Sequence, residues 1–165
     1  MAQVTDDDAR FRLDGLAYIE AMRDGELPPD AFMVTLGMRV VEVEPGRVVM
    51  EVEPNDGHLN IGGAIHGGFL STLMDNVTGY ALHTTLGPGQ TPPHLAASYR
   101  FLSMGKRGVT LRATAVVLKS GRNVGHVRVE VHDADGRFVC TGETTHAVVG
   151  TSSTDDRLLD PGPSA

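Results

Sequence analysis

The spacing of apolar residues changes several times along this chain, and each change predicts an element. Over residues 10–22, Phe11, Leu13, Leu16, Ala17, Ile19 and Met22 recur at near-helical spacing, and Asp24-Gly25 followed by Pro28-Pro29 predicts where that helix stops. From Leu36 the period falls to two. The stretch "MRVVEVEPGRVVMEVEP" sets Pro45-Gly46 between two β-rich runs and reads as a hairpin, with Met50 and Val52 on one face and Glu51 and Glu53 on the other. Over residues 67–84 a helical period of ~100° per residue gathers Phe69, Leu70, Leu73, Met74, Val77, Tyr80 and Ala81 on one broad face.

Alternation then resumes in "HLAASYRFLS", "GVTLRATAVVLK", "RNVGHVRVEVHD" and "RFVCTGETTHAVVG". Val127, Val129 and Val131 alternate there with Arg128, Glu130 and His132, and Gly105 with Gly108, Ser120-Gly121 and "DADG" supply the turns. About six strands, mostly joined by hairpins, with one long central helix and one short N-terminal helix, predict an α+β unit with the helix on one face of an antiparallel sheet. Residues 1–9 are polar and acidic and 151–165 are rich in Ser, Asp and Pro, so flexible ends are expected around a single domain at 10–150. A chain of 165 residues suits one domain.

Composition narrows the function classes. A net charge of −7 without a basic block argues against a nucleic-acid partner. The single Cys140 forms no internal disulfide, the first residues lack the apolar core of a signal peptide, and no apolar run reaches the ~20 residues of a membrane span. A soluble cytoplasmic protein with no membrane partner is expected. The seven histidines show no tight ligand spacing such as HExxH, so no metal site is expected. "NIGGAIHGG" lacks the Gly-Lys-Ser/Thr ending of a phosphate loop, and Cys140, alternating within a strand, reads as a packing residue.

Asp75 does not fit its surroundings. It lies opposite the apolar face of the long helix, among Gly68, Ser71, Thr72 and Gly79. Helical geometry leaves two readings open: a solvated carboxylate, or one enclosed where the small residues admit a second protein surface. Gly62, Gly63, Gly67 and Gly68 precede or open the helix, where unpaired amides carry partial positive charge and suit a polarised carbonyl. Within one chain, however, Gly67 and Asp75 are about 12 Å apart along the helix axis.

Asn60-x6-Gly67-x7-Asp75, with His66-Gly67-Gly68 opening the helix, resembles the signature of hotdog-fold thioesterases of the phenylacetic-acid-degradation type. The flanks "DGLAYIEAMRDGELPPDAFMVTLGMRVVEVEPGRVVMEVEP" and "LKSGRNVGHVRVEVHDADGRFVCTGETTHAVV" are similar to those of bacterial members, so the likeness covers nearly all of residues 13–149. The resemblance implies a long helix wrapped by an antiparallel sheet, assembly as a homodimer or homotetramer, and hydrolysis of an acyl-CoA at the dimer interface. It implies Asp75 as the catalytic carboxylate, acting as base or nucleophile. It further implies that the Gly67 amide polarises the carbonyl, that Asn60 positions the thioester or water, and that His66 stands beside it. Gly68 falls within the substrate-binding helix start. Members often carry a Ser or Thr at the start of the strand after the helix; here that place falls near Pro93-His94, and His94 is the candidate for the role. Arg122 and Lys119 are candidates for the coenzyme A phosphates. No cofactor is implied, since coenzyme A is part of the substrate. A hotdog hydratase or dehydratase using His66 with Asp75, and a non-catalytic acyl-CoA-binding protein, are the alternatives.

Overall fold

The computed structural model describes residues 11–150 of the chain, so the ends expected to be flexible, 1–9 and 151–165, lie outside the described residues. Helix α1 (Gly15–Arg23) starts at Asp14, whose carboxylate accepts a hydrogen bond from the Ala17 amide at 2.9 Å. Its first turn sits against the far end of the long helix: a Cβ on Gly15 would lie 1.8 Å from the His83 carbonyl oxygen, and the Gly15 amide donates to the Leu86 carbonyl at 2.9 Å. Asp14 therefore starts a helix inside the segment whose periodicity predicts one continuous helix from residue 10. A second short helix, α2 (Ala31–Leu36), follows, capped by Asp30 at its start and by Gly37 (φ 67°) at its end.

The predicted hairpin forms as β1 (Arg39–Glu44) and β2 (Arg47–Val52) around Pro45-Gly46. After a 3-10 turn at Asp56–His58 comes α3 (Gly67–His83), then β3 (Gln90–Thr91), β4 (His94–Phe101), β5 (Leu111–Ser120), β6 (Val124–Asp133), β7 (Phe138–Ala147) and β8 (Val149–Gly150). Six strands make one antiparallel sheet in the order β1-β2-β5-β6-β7-β4, while β3 and β8 pair separately. The sheet wraps α3, as the resemblance to hotdog proteins implies.

Period-two patterning decides what the sheet buries. Met50, Val52, Val127, Val129 and Val131 point inward and are at most 1% exposed, packing on Leu73, Met74, Val77 and Ala81 of α3. Each large side chain so buried contributes about 1.5–3 kcal/mol. Gly125 marks the closest approach, since a Cβ there would come within 2.4 Å of Leu82. Tyr80, expected on the sheet-packing face, instead lies half-buried and donates its hydroxyl to Asp30, tying α2 to α3.

The two edges of the sheet differ. At the β1 edge, Arg47 pairs with Glu42 (2.8 Å), Arg39 with Glu51 (2.6 Å), and Arg112 bridges Glu51 and Glu42 from β5. A bulge also interrupts β1 between Val40 and Glu42. Charges and bulges are how sheets discourage further pairing. At the other edge, β4 runs eight residues, with an irregularity between His94 and Ala96, and exposes Leu95, Ala96, Ala97, Ser98 and Phe101 together with a single charge, Arg100.

Candidate active site

The segment before α3 is organised by short-range hydrogen bonds. Asn60 folds the loop onto itself: its Oδ1 accepts from the Gly62 amide at 2.9 Å and the Ala64 amide at 3.3 Å, and its own amide donates to the Ala64 carbonyl. Gly63 takes φ 79° to close the turn. His58 stacks on Phe69 with ring centroids 4.0 Å apart, and its carbonyl accepts from the His66 amide, which fixes the entry into the helix. His66 is the N-cap, and its Nδ1 accepts from the Gly68 amide at 2.9 Å. The Gly68 amide is thereby used within the chain. The Gly67 amide makes no hydrogen bond among the described residues. It stands at the positive end of a helix of 17 residues and borders a cavity of about 330 Å³ lined by Asn60, Ile65, Gly67, Phe101 and Met104.

Two turns along, Asp75 projects from α3 toward the β4 edge of the sheet, its side chain 52% exposed. His94, at the start of β4, places Nε2 3.4 Å from Asp75 Oδ1 and 3.2 Å from the Thr78 hydroxyl. That hydroxyl spends its hydrogen on the Met74 and Asp75 carbonyls, so its oxygen accepts and His94 Nε2 carries the proton. The His94 ring is held from behind by His146 on β7, with centroids 3.9 Å apart. His146 is fully buried between the Pro92 carbonyl, 3.0 Å from Nδ1, and the Thr144 hydroxyl, 2.8 Å from Nε2. A carbonyl only accepts, so His146 Nδ1 carries the hydrogen. The Ala147 amide also donates to the Pro93 carbonyl, which clamps the turn that presents His94. Burial pushes the pKa of His94 down against the opposing pull of Asp75, and burial likewise lowers that of His146.

Two cavities flank the carboxylate. One, of about 310 Å³, runs between Asp75, Tyr80, His83, Thr91 and His94. The other, about 260 Å³, is lined by Phe32, Ser71, Thr72, Asp75, Ala97 and Tyr99. Neither contains Asn60 or Gly67. The chain thus brings Asp75 together with His94, and Asn60 together with Gly67 and His66, as two separate groups. Lys119 and Arg122 are exposed at the β5–β6 turn and line none of these cavities. Sequence reading passed over Thr78, Tyr99 and His146. Tyr99 bore no signal, but Gly142, Thr144 and His146 share the inward register of β7, where a histidine in a buried row asks for fixed partners.

The thioesterase superfamily model matches residues 62–140, the span from the glycine-rich loop to β7. Human acyl-coenzyme A thioesterase 13 is 31% identical over 107 residues, covering 64% of this chain and 76% of that protein. The chain belongs to the thioesterase superfamily. Solved structures share its fold. The PaaI protein from the phenylacetic acid degradation operon of Escherichia coli superposes with a TM-score of 0.73 at 28% identity, covering 84% of this chain and 98% of that one. The smu.793 protein of Streptococcus mutans UA159, solved bound to acetyl CoA, gives 0.65 at 31% identity, covering 69% and 90%. The hotdog architecture and the membership rest on the same elements: the loop at Asn60, the long helix and the strands that wrap it.

Proposed function

We propose that this chain hydrolyses an acyl-CoA thioester to the free acid and coenzyme A, with Asp75 as the group that activates water. The observation that carries this reading is a half-exposed carboxylate, held by the Nε2–H of His94, at the meeting of two cavities on a helix whose opposite face is buried. Water donates a proton to Asp75 as its oxygen attacks the carbonyl carbon. The C–S bond then breaks, and the proton passes from Asp75 to the departing thiolate. An amide at a helix N-terminus stabilises the oxyanion, and the Gly67 amide is the unpaired donor of that kind here. Coenzyme A enters as part of the substrate, and the chemistry calls on no further cofactor.

The two groups must meet for this to work, and the chain alone keeps them in different cavities. We therefore place the site between protomers of a homodimer, or of a tetramer built from dimers, with Asp75 of one facing Asn60 and Gly67 of the other. The β4 edge, mostly small and apolar with Arg100 as its one exposed charge, is the surface suited to that pairing. No helix among the described residues is long and apolar enough to cross a membrane, and a cytoplasmic location suits an unpaired, buried Cys140. Lys119 and Arg122 remain free to meet the phosphates of coenzyme A from a surface turn.

Replacing Asp75 by Asn keeps the shape and removes the base. We expect kcat on hexanoyl-CoA and phenylacetyl-CoA to fall by about a hundredfold or more, with the thermal midpoint unchanged. Hydrolysis at near wild-type rate on both would remove Asp75 from the chemistry. Release of free thiol distinguishes hydrolysis from hydration of an enoyl-CoA, and turnover distinguishes an enzyme from an acyl-CoA-binding protein.

A further inference from the structure

The polar side chains around Asp75 can be sorted by where their hydrogens go. The Thr72 hydroxyl bonds the Gly68 carbonyl at 2.9 Å, the Thr78 hydroxyl bonds carbonyls of its own helix, and His94 Nε2–H faces Asp75 and Thr78. Tyr99 is different. Its hydroxyl is buried and has no hydrogen-bond partner among the described residues. It lines the same 260 Å³ cavity as Asp75, whereas His94 lines the 310 Å³ cavity on which Asp75 also borders. The ring is seated over Gly142, where a Cβ would come within 2.4 Å of Tyr99 Cδ1, so its approach depends on the missing side chain beneath it. Buried hydroxyls without partners are uncommon and lower stability, which makes one beside a reactive carboxylate a sign of an acceptor that arrives with the reaction.

We propose that the Tyr99 hydroxyl is a catalytic group that donates a hydrogen bond to the water Asp75 activates. The inference rests on the thioesterase reading of Asp75. The water donates one hydrogen to the carboxylate, accepts the phenol hydrogen on one lone pair, and directs the other lone pair at the thioester carbon. Tyr99 ends the step as it began, protonated. Burial first, and the nearby Asp75 charge second, push its pKa up to about 12, so the donor is in place at neutral pH. His94 orients the carboxylate from one side and Tyr99 orients the nucleophile from the other.

Tyr99→Phe removes only the oxygen. With hexanoyl-CoA and phenylacetyl-CoA as probes, kcat should fall between about tenfold and a hundredfold while KM changes by less than about twofold. The thermal midpoint should hold or rise, because an unpartnered buried hydroxyl has been deleted. In the Asp75→Asn background the same substitution should cost nothing more, since both groups act on one water. Unchanged kcat overturns the proposal, as does an unchanged kcat with raised KM, which would make Tyr99 an acyl contact. A lowered midpoint with subunit dissociation overturns it too, by giving the phenol a structural acceptor. If Asp75→Asn itself is active, the thioesterase reading fails whatever Tyr99 does.

Discussion

On the proposed reading the start of α3 and its middle carry the two halves of one reaction, and the two regions are built by opposite means. The start is local: Asn60, His58 and His66 hold the loop and cap through partners within eleven residues, and glycine supplies the backbone freedom. The middle is tertiary. Asp75 depends on His94 from another element, and His94 depends on His146 from a third, with Tyr99 arriving further along β4. The local half offers backbone donors whose positions a loop can fix. The tertiary half offers a charge whose orientation needs packed neighbours. The difference teaches that losing a loop residue should misplace donors while leaving the core intact, whereas disturbing the histidine row reaches stability as well.

Breaking the local half falls mainly on activity. Asn60→Ala removes the acceptor for the Gly62 and Ala64 amides, so the loop loses its fold and the Gly67 amide its aim. We expect kcat/KM to fall about a hundredfold, with the thermal midpoint lowered by only a few degrees because the core does not include the loop tip. An unchanged kcat/KM would show that the loop holds its shape, and the Gly67 amide its aim, without Asn60.

Acid reaches the buried histidines of both halves with a smaller effect. Burial lowers the pKa of His58, His83, His94 and His146 in the folded chain. In the unfolded chain they protonate near 6.5, so below that pH the unfolded state binds more protons than the folded one. Stability is therefore full above pH ~6.5, falls on acidification, and levels off once the pH passes below the folded values. The thermal midpoint should drop steadily from pH 7 to pH 5. His146→Gln should shallow that drop, because the row loses a member that resists protonation. A flat profile over this range would mean these rings accept protons without cost.

The same contrast explains what was legible in the sequence. Asn60 and His66 were reached through the family likeness, whereas the glycines that open α3 read directly because they mark the turns. The hairpin at Pro45-Gly46 and the inward row Val127, Val129, Val131 read for the same reason: a turn dipeptide and a period of two suffice. Helix α2 did not read, because six residues give too little periodicity and Asp30 is its main start signal. The break at Asp14 was hidden by apolar residues continuing on both sides, and only the cap reveals it. Tyr80 fitted a helical face but turned to Asp30, a choice made by α2. His94 was reached through the family likeness, whereas its orientation by Thr78 and His146 needed the register of β7 against β4, which no local pattern specifies.

The central claim is that Asp75 and Gly67 complete one site from two protomers. Mixing Asp75→Asn chains with Asn60→Ala chains under conditions of subunit exchange tests it most directly. In a dimer, half the assemblies are then mixed, and each holds one intact site of two, so activity should rise to about a quarter of wild type from two nearly inactive parents. A mixture no more active than the average of its parents would place both groups in the same chain's site and contradict the account.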